Sequence, residues 1–289
     1  MKTLLVALDM TEGSRGALAR ALRIGAGMGA FLHVVHAVPS DRFAADGASV
    51  RQAVRQAVEE MIDALPHPHP GFSLRITLCD AKAAILDEAR KIGADLIVLG
   101  AHGAPRFRDA LFGTTATHVV RHSDRPVLVV REGGEKPYAK VLAALADMAS
   151  ADALLGAACA IAPQAEIYGV HAFDPPLGQI LAGRDEFARQ ESRWEAKIEA
   201  ALAKAVAGRP RRVSTKQHGI VEAGDLLTIL MKETEALGPD LLAMGTRRRS
   251  TYLGSYAVDT LFWCPHDMLV VPEQAAAEVE APTRALIGQ

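Results

Sequence analysis

The chain repeats itself, and no other feature limits its fold so strongly. "TLLVALDM" (3–10) returns in "KVLAALADM" (140–148), "VVHAV" (34–38) in "IYGVHAF" (167–173), "GADLIVLG" (93–100) in "GPDLLAMG" (238–245), and "VLVV" (127–130) in "MLVV" (268–271). The spacing between partners drifts. It is 138 residues from Asp9 to Asp147, 135 from His36 to His171, 145 from Gly100 to Gly245 and 141 from Gly113 to Gly254. Such drift confines insertions and deletions to connections, where they are tolerated. The polar, Gly-rich "EGGEKP" (132–137) reads as the linker. The expected units are 1–132 and 138–273, followed by a tail over 274–289 with no counterpart in the first copy. A length of 289 residues lets each copy bury its own core.

Within the first copy, short runs rich in Val, Ile and Leu alternate with helical segments. The runs are "TLLVAL" (3–8), "FLHVVHAV" (31–38), "FSLRITL" (72–78), "DLIVLG" (95–100) and "PVLVV" (126–130), and helices are expected near 14–28, 47–64, 81–92 and 114–122. Near-continuous apolar strands joined by helices predict a parallel sheet covered on both faces. Gly93 and Gly238 sit where left-handed helix caps belong, each just before a strand. In the second copy, 184–206 is amphipathic, and Phe187, Trp194, Ile198 and Leu202 form a face that would cover the sheet.

Charge and cysteines narrow the function classes. A net charge of −2 argues against a general nucleic-acid binder, which draws its non-specific affinity from a basic surface. Cys79, Cys159 and Cys264 are far apart and suit neither a disulfide framework nor a zinc cage, so a reducing cytoplasm is the simplest home. "MKTLLVALDM" meets Asp9 after six apolar-run residues and reads as a strand rather than a leader. No uncharged run is long enough to suggest a membrane span.

The stretch "LIVLGAHGAPRFRDALFGTT" (96–115) carries the chemistry. In an open parallel sheet, ligands bind beyond the carboxyl ends of the strands, where Gly100 ends the fourth. Glycines there let a backbone curl and approach an anion closely. Gly113-Thr114-Thr115 then precede the helical "ATHVVRH", so free amides, the positive end of a helix dipole and two hydroxyls converge as a phosphate site. Other motifs fail. There is no GxxxxGK[ST], GxSxG or HExxH, and "GAGMG" (25–29) lacks GxGxxG spacing. His33 and His36 point to opposite faces of one strand, and His67 and His69 sit in a proline-rich turn, so no metal is expected from protein side chains. Arg106, Arg108 and Arg247-Arg248-Arg249 read as solvated loop residues, and no catalytic residue stands out.

Gly100-x2-Gly103-x9-Gly113-Thr114 resembles the ATP-binding signature G-x2-G-x9-G-[S/T] of the universal stress protein family. The likeness extends through "VALD", "HAV", "GADLIVLGAHG" and "DRPVLVV". It implies two tandem open five-stranded parallel sheets of order 3-2-1-4-5 with helices on both faces, an α/β arrangement like that of the adenine nucleotide alpha hydrolases. A nucleotide would lie across strands 1 and 4. Asp9 would meet the ribose or adenine edge, Ala37 or Val38 would offer backbone groups to the base, and Leu99 would lie beneath. Gly100, His102, Gly103, Gly113, Thr114 and Thr115 would line the ribose and phosphates. The implied cofactor is ATP, with or without Mg2+. The implied assembly pairs the two copies as a pseudo-dimer through 126–130 and 267–271, leaves room for a homodimer, and involves no membrane or nucleic acid.

The second copy departs from the pattern. Its glycine loop is four residues shorter, and Arg248 takes the second glycine's place, although Asp147 and Gly254-Ser255 remain. That copy is expected to bind nucleotide poorly or to bind something else. Three functions fit the sequence: an ATP-dependent stress sensor with one working site, a slow metal-dependent ATPase, and a scaffold that has lost nucleotide binding.

Overall fold

A computed structural model describes residues 1–38, 47–65, 71–101, 114–131, 134, 136–145, 148–173, 184–207, 217–246 and 256–273. The first copy runs β1 (Thr3–Leu8), α1 (Glu12–Met28), β2 (Phe31–Ala37), α2 (Gly47–Asp63), β3 (Phe72–Thr77), α3 (Ala81–Lys91), β4 (Leu96–Gly100), α4 (Thr114–His122) and β5 (Val127–Val130). The second runs β6 (Lys140–Ala144), α5 (Met148–Ile161), β7 (Glu166–Phe173), α6 (Arg184–Ala207), β8 (Gln217–Ala223), α7 (Leu226–Leu237), β9 (Leu241–Thr246), α8 (Tyr256–Trp263) and β10 (Asp267–Pro272). Both copies have the strand order 3-2-1-4-5. They do not form two separate sheets, however: one ten-stranded sheet runs β3-β2-β1-β4-β5-β10-β9-β6-β7-β8.

The correction has a simple cause. β5 and β10 are buried along their whole length, and an apolar strand left at an edge exposes unpaired backbone groups. Pairing the two antiparallel, with Val127, Leu128 and Val129 opposite Val270, Leu269 and Met268, removes both edges at once. Every other strand pair is parallel. Helices α1, α2, α5 and α6 cover one face of the sheet and α3, α4, α7 and α8 the other.

The repeat persists at the level of single atoms. Asp95 accepts from the amides of Lys2 and Thr3 at 2.5 and 3.0 Å, and Asp240 from those of Ala139 and Lys140 at 2.7 and 2.8 Å. His36 Nδ1 bonds the Leu8 carbonyl at 2.8 Å, and His171 Nδ1 the Leu145 carbonyl at 2.6 Å. Asp80 and Asp225 cap α3 and α7. Gly93 and Gly238 follow those helices with φ of 62° and 55°, a conformation glycine adopts without a Cβ penalty. Ile198 and Leu202 of α6 are buried and Trp194 is partly buried against the same core; the Phe187 side chain lies outside the described residues.

The two copies are also clamped by polar groups. The Arg20 guanidinium of α1 lies 3.2 Å from the Asp267 carboxylate, and both side chains are buried. Asp267 accepts from the Tyr138 hydroxyl at 2.7 Å and from the Arg131 amide at 2.8 Å. Arg20 also donates to the Lys136 carbonyl at 2.5 Å and stacks on the Tyr138 ring. Burial and the neighbouring Asp267 carboxylate hold the Tyr138 phenol well above its usual range.

Candidate functional site

The carboxyl ends of β1, β2 and β4 lie side by side, Leu8 opposite His36 and Ala7 opposite Leu99. After β1 the chain turns through Asp9-Met10-Thr11 into α1. Met10 has φ +65°, alone among the described non-glycine residues in that region. A left-handed residue with a Cβ costs about 1–2 kcal/mol and persists only where its surroundings impose it. Here the Asp9 carboxylate accepts from both the amide and the hydroxyl of Thr11, at 3.0 and 2.5 Å. Thr11 is the N-cap residue of α1, but its hydroxyl points to Asp9 and caps no helix amide. Asp9 is exposed at the rim.

Gly100 plays a part that the sequence alone does not reveal. A Cβ built on it would lie 2.8 Å from the Gly13 carbonyl oxygen and 3.3 Å from the Ser14 amide. The glycine therefore lets the first turn of α1 seat against the end of β4. This requirement stands whether or not the same backbone also faces a phosphate. Leu99, one residue earlier, is buried in the core shared with α3 and α4.

Ala37 ends β2 and is half-buried, whereas Val38 is buried and its amide already donates to the Thr77 carbonyl at 2.9 Å. A base at this position would have to take another backbone group. His102, Gly103 and Gly113 lie outside the described residues, as do the Thr114 side chain, His67, His69, Arg106, Arg108, Asp147, Arg247, Arg248, Arg249, Gly254 and Ser255. The helix that follows the glycine loop does begin at Thr114, with Thr115 half-buried. It carries no acid in its first turn and has Arg121 and His122 in its last. An anion at its N-terminus would thus meet the positive dipole end without a competing carboxylate.

Two residues at this rim escaped the motif reading. Because the Leu8 carbonyl can only accept, His36 Nδ1 carries a proton and donates to it. The duplicated His-Ala was the available signal, since a polar residue repeated at a strand end has a job in both copies. Met10 gave no signal, because nothing local marks a left-handed methionine. His33 points the other way, as strand alternation requires. Its Nε2 lies 3.1 Å from Glu88 Oε1, and Ser73 Oγ is 2.5 Å from its Nδ1. Among the described residues no group of three His, Cys, Asp or Glu side chains could hold a metal, and no helix is long and apolar enough to cross a membrane.

Residues 1–131 and 137–272 each match the universal stress protein family. The chain belongs to that family. Universal stress protein G of Shigella flexneri is 30% identical over 110 residues, 35% of this chain and 77% of its own length. Among solved structures, a functionally unknown protein from Pseudomonas aeruginosa PAO1 superposes with a TM-score of 0.66 at 17% identity, covering 94% of this chain and 92% of its own. A universal stress protein from Archaeoglobus fulgidus DSM 4304 gives 0.61, also at 17% identity, with 94% and 98% covered. Those structural likenesses establish the fold. Within this universal stress protein, the two family matches meet at the linker between β5 and β6.

Proposed function

We propose that this universal stress protein binds ATP at one working site, in the first repeat, and acts in the cytoplasm as a nucleotide-dependent regulator of the stress response. One observation carries the reading. The three-glycine spacing leaves the sheet at Gly100, at the carboxyl end of β4, and delivers the chain to the N-terminus of α4 at Thr114. Beside it stands the Asp9-Met10-Thr11 turn. The adenosine would lie against Asp9, His36 and the Ala37–Val38 backbone, with Leu99 beneath. The ribose and phosphates would lie along Gly100, His102, Gly103, Gly113, Thr114 and Thr115. Asp9 is engaged with Thr11 and sits on the nucleoside side, so Mg2+ would be held by the phosphates rather than by a carboxylate cage. Occupancy changes shape or partner choice to the extent that ATP binds two states unequally.

The test is to denature freshly purified protein, identify the small molecules released and count adenine nucleotide per chain. About one ATP per chain, or the ADP or AMP left from it, lost in Gly113→Asp, is the expected result. Metal-dependent phosphate release above background would move the reading to an ATPase. No nucleotide, together with no binding of added ATP by calorimetry in a folded protein, would overturn it and leave the scaffold.

A further inference from the structure

Away from the rim, on the sheet face that α3 covers, a hydroxyl, an imidazole and a carboxylate are linked in series. The parallel register sets His33 of β2 opposite Ser73 of β3. Ser73 Oγ lies 2.5 Å from His33 Nδ1, and His33 Nε2 lies 3.1 Å from Glu88 Oε1 of α3. A neutral imidazole has one donor nitrogen and one acceptor nitrogen. The Glu88 carboxylate can only accept, so with the ring neutral Nε2 carries the proton and Nδ1 is left to accept from the Ser73 hydroxyl. Nucleophile, base and orienting acid in that order are the parts that activate a serine. Lys91 Nζ stands 3.8 Å from the other Glu88 oxygen.

The surroundings suit an acyl group. His33 and Glu88 keep 15% and 12% side-chain exposure, and Ser73 is half-buried on β3, the outermost strand in the sheet order. Phe31 lies two residues before His33 on the same face of β2 and is exposed. A Cβ built on Gly71 would come within 3.4 Å of the Phe31 ring, so the glycine leaves that flank of the ring bare, two residues from Ser73. Arg75, two residues after Ser73 on the same face, is exposed. The Leu32 amide donates to the Gly71 carbonyl and the Val38 amide to the Thr77 carbonyl. Odd-numbered residues of β3 therefore turn their backbone toward β2, and the Leu74 amide, next after Ser73, points to the outer edge.

We propose that Ser73 is a nucleophile for short-chain esters with an apolar leaving group, with His33 as its general base and Glu88 as the residue that positions the ring. Ser73 Oγ attacks the ester carbonyl carbon and gives its proton to His33 Nδ1, while the carbonyl electron pair moves onto oxygen. The Leu74 amide and the Arg75 guanidinium meet that negative charge. When the pair returns, the bond to the leaving oxygen breaks, that oxygen takes the proton from His33 Nδ1, and the acyl group stays on Ser73. Water repeats the sequence, releasing the carboxylic acid and restoring the serine. The Phe31 ring seats the apolar leaving group.

The probe is p-nitrophenyl butyrate, given to the full chain, with nitrophenolate release followed by absorbance and the acylated peptide located by mass spectrometry. The expected result is saturable release and a butyryl group on Ser73, both lost in Ser73→Ala. His33→Ala should slow acylation by about a hundredfold, within the range a positioned base contributes, and added imidazole should restore part of the rate. Glu88→Gln should lower kcat by about tenfold or more with KM unchanged, whereas Phe31→Ala should raise KM. Circular dichroism and thermal melting establish that each variant is folded, and Ser73→Ala, which removes one oxygen, keeps the test decisive if a variant at His33 does not fold. No release above buffer, release that persists in folded Ser73→Ala, or acylation of Ser73 that is equally fast in folded His33→Ala would overturn the proposal.

Discussion

Gly100 ends β4 and Gly245 stands one residue before the end of the corresponding β9, yet only the first is required by its surroundings. A Cβ on Gly100 would collide with the backbone of α1, whereas one on Gly245 would sit 3.7 Å from the Val271 carbonyl, an ordinary contact. The difference extends along the rim. After Asp9, α1 waits until Glu12, and Met10 adopts a left-handed turn. After Asp147, α5 begins at once with Met148. His36 is half-buried, but His171 is buried with the Trp194 ring 4.0 Å away and Lys197 above that ring. The bonds that build the sheet are the same in both copies. What differs is the surface beyond the strand ends, where one copy has a sharp turn pressed against a glycine and the other has an aromatic lid on its histidine.

The largest break in the symmetry is Asp267, which stands where the first repeat has Pro126. It is buried against Arg20 and Tyr138. Removing one partner of a buried pair strands the other charge, so Asp267→Ala should cost about 3–5 kcal/mol. Pro126→Ala, at the matching position, should cost under about 1 kcal/mol. Urea unfolding of both variants measures the contrast, and equal effects would mean that the clamp contributes nothing.

Next in size is the glycine pair itself. Gly100→Ala forces α1 away from β4 and should destabilise the protein by about 2 kcal/mol, the range for overpacking against backbone that cannot yield. Gly245→Ala should stay under about 1 kcal/mol. If the two cost the same in urea unfolding, the close packing of α1 is not what Gly100 is for.

Tyr138 stands where the first repeat has Met1, and it adds a pH signature to one copy alone. An unfolded phenol ionises near about 10, whereas burial and Asp267 raise the folded one well above that. Above this pH the native state retains a proton that the unfolded state has lost. Stability present below pH 10 should therefore fall as pH climbs toward the folded value, by up to about 1.4 kcal/mol per pH unit. Melting temperatures between pH 8 and 11 should fall less steeply in Tyr138→Phe than in the parent chain. Parallel curves would show that this phenol does not titrate with unfolding.

Most of the sheet could be read from the sequence because strands buried on both faces must be apolar along their length, and "TLLVAL", "DLIVLG" and "VLVV" have no other reading. That the two copies meet through 126–130 and 267–271 came from the family resemblance alone, and that this contact joins two sheets into one was not visible in the strands themselves. A pairing between β5 and β10 depends on residues 139 to 143 positions apart meeting antiparallel, and "VLVV" looks the same at an edge as inside a sheet. At the rim, the motif drew attention to Gly100, but not to its contact with α1, since Gly13 is distant in sequence and meets it through backbone atoms. His36 was visible as a repeated residue, though its role needed the Leu8 carbonyl to be placed.

The smallest expected effect is also the sharpest comparison, because it predicts a change of sign. Asp-Met occurs in both repeats, with Met10 at φ +65° and Met148 as the first residue of α5. Both side chains pack against the same core, so replacing either methionine loses some burial, and that loss is nearly the same for alanine and glycine. The difference between the two replacements isolates the backbone. At a left-handed position alanine keeps the Cβ clash that glycine avoids, so Met10→Gly should be more stable than Met10→Ala by about 1 kcal/mol. At the start of a helix the preference reverses, and Met148→Gly should be less stable than Met148→Ala by about 0.5–1 kcal/mol. Urea unfolding of the four variants resolves both differences. Differences of the same sign would mean that the two turns share one backbone conformation, and the first repeat's rim would then lose the strain that sets it apart from the second.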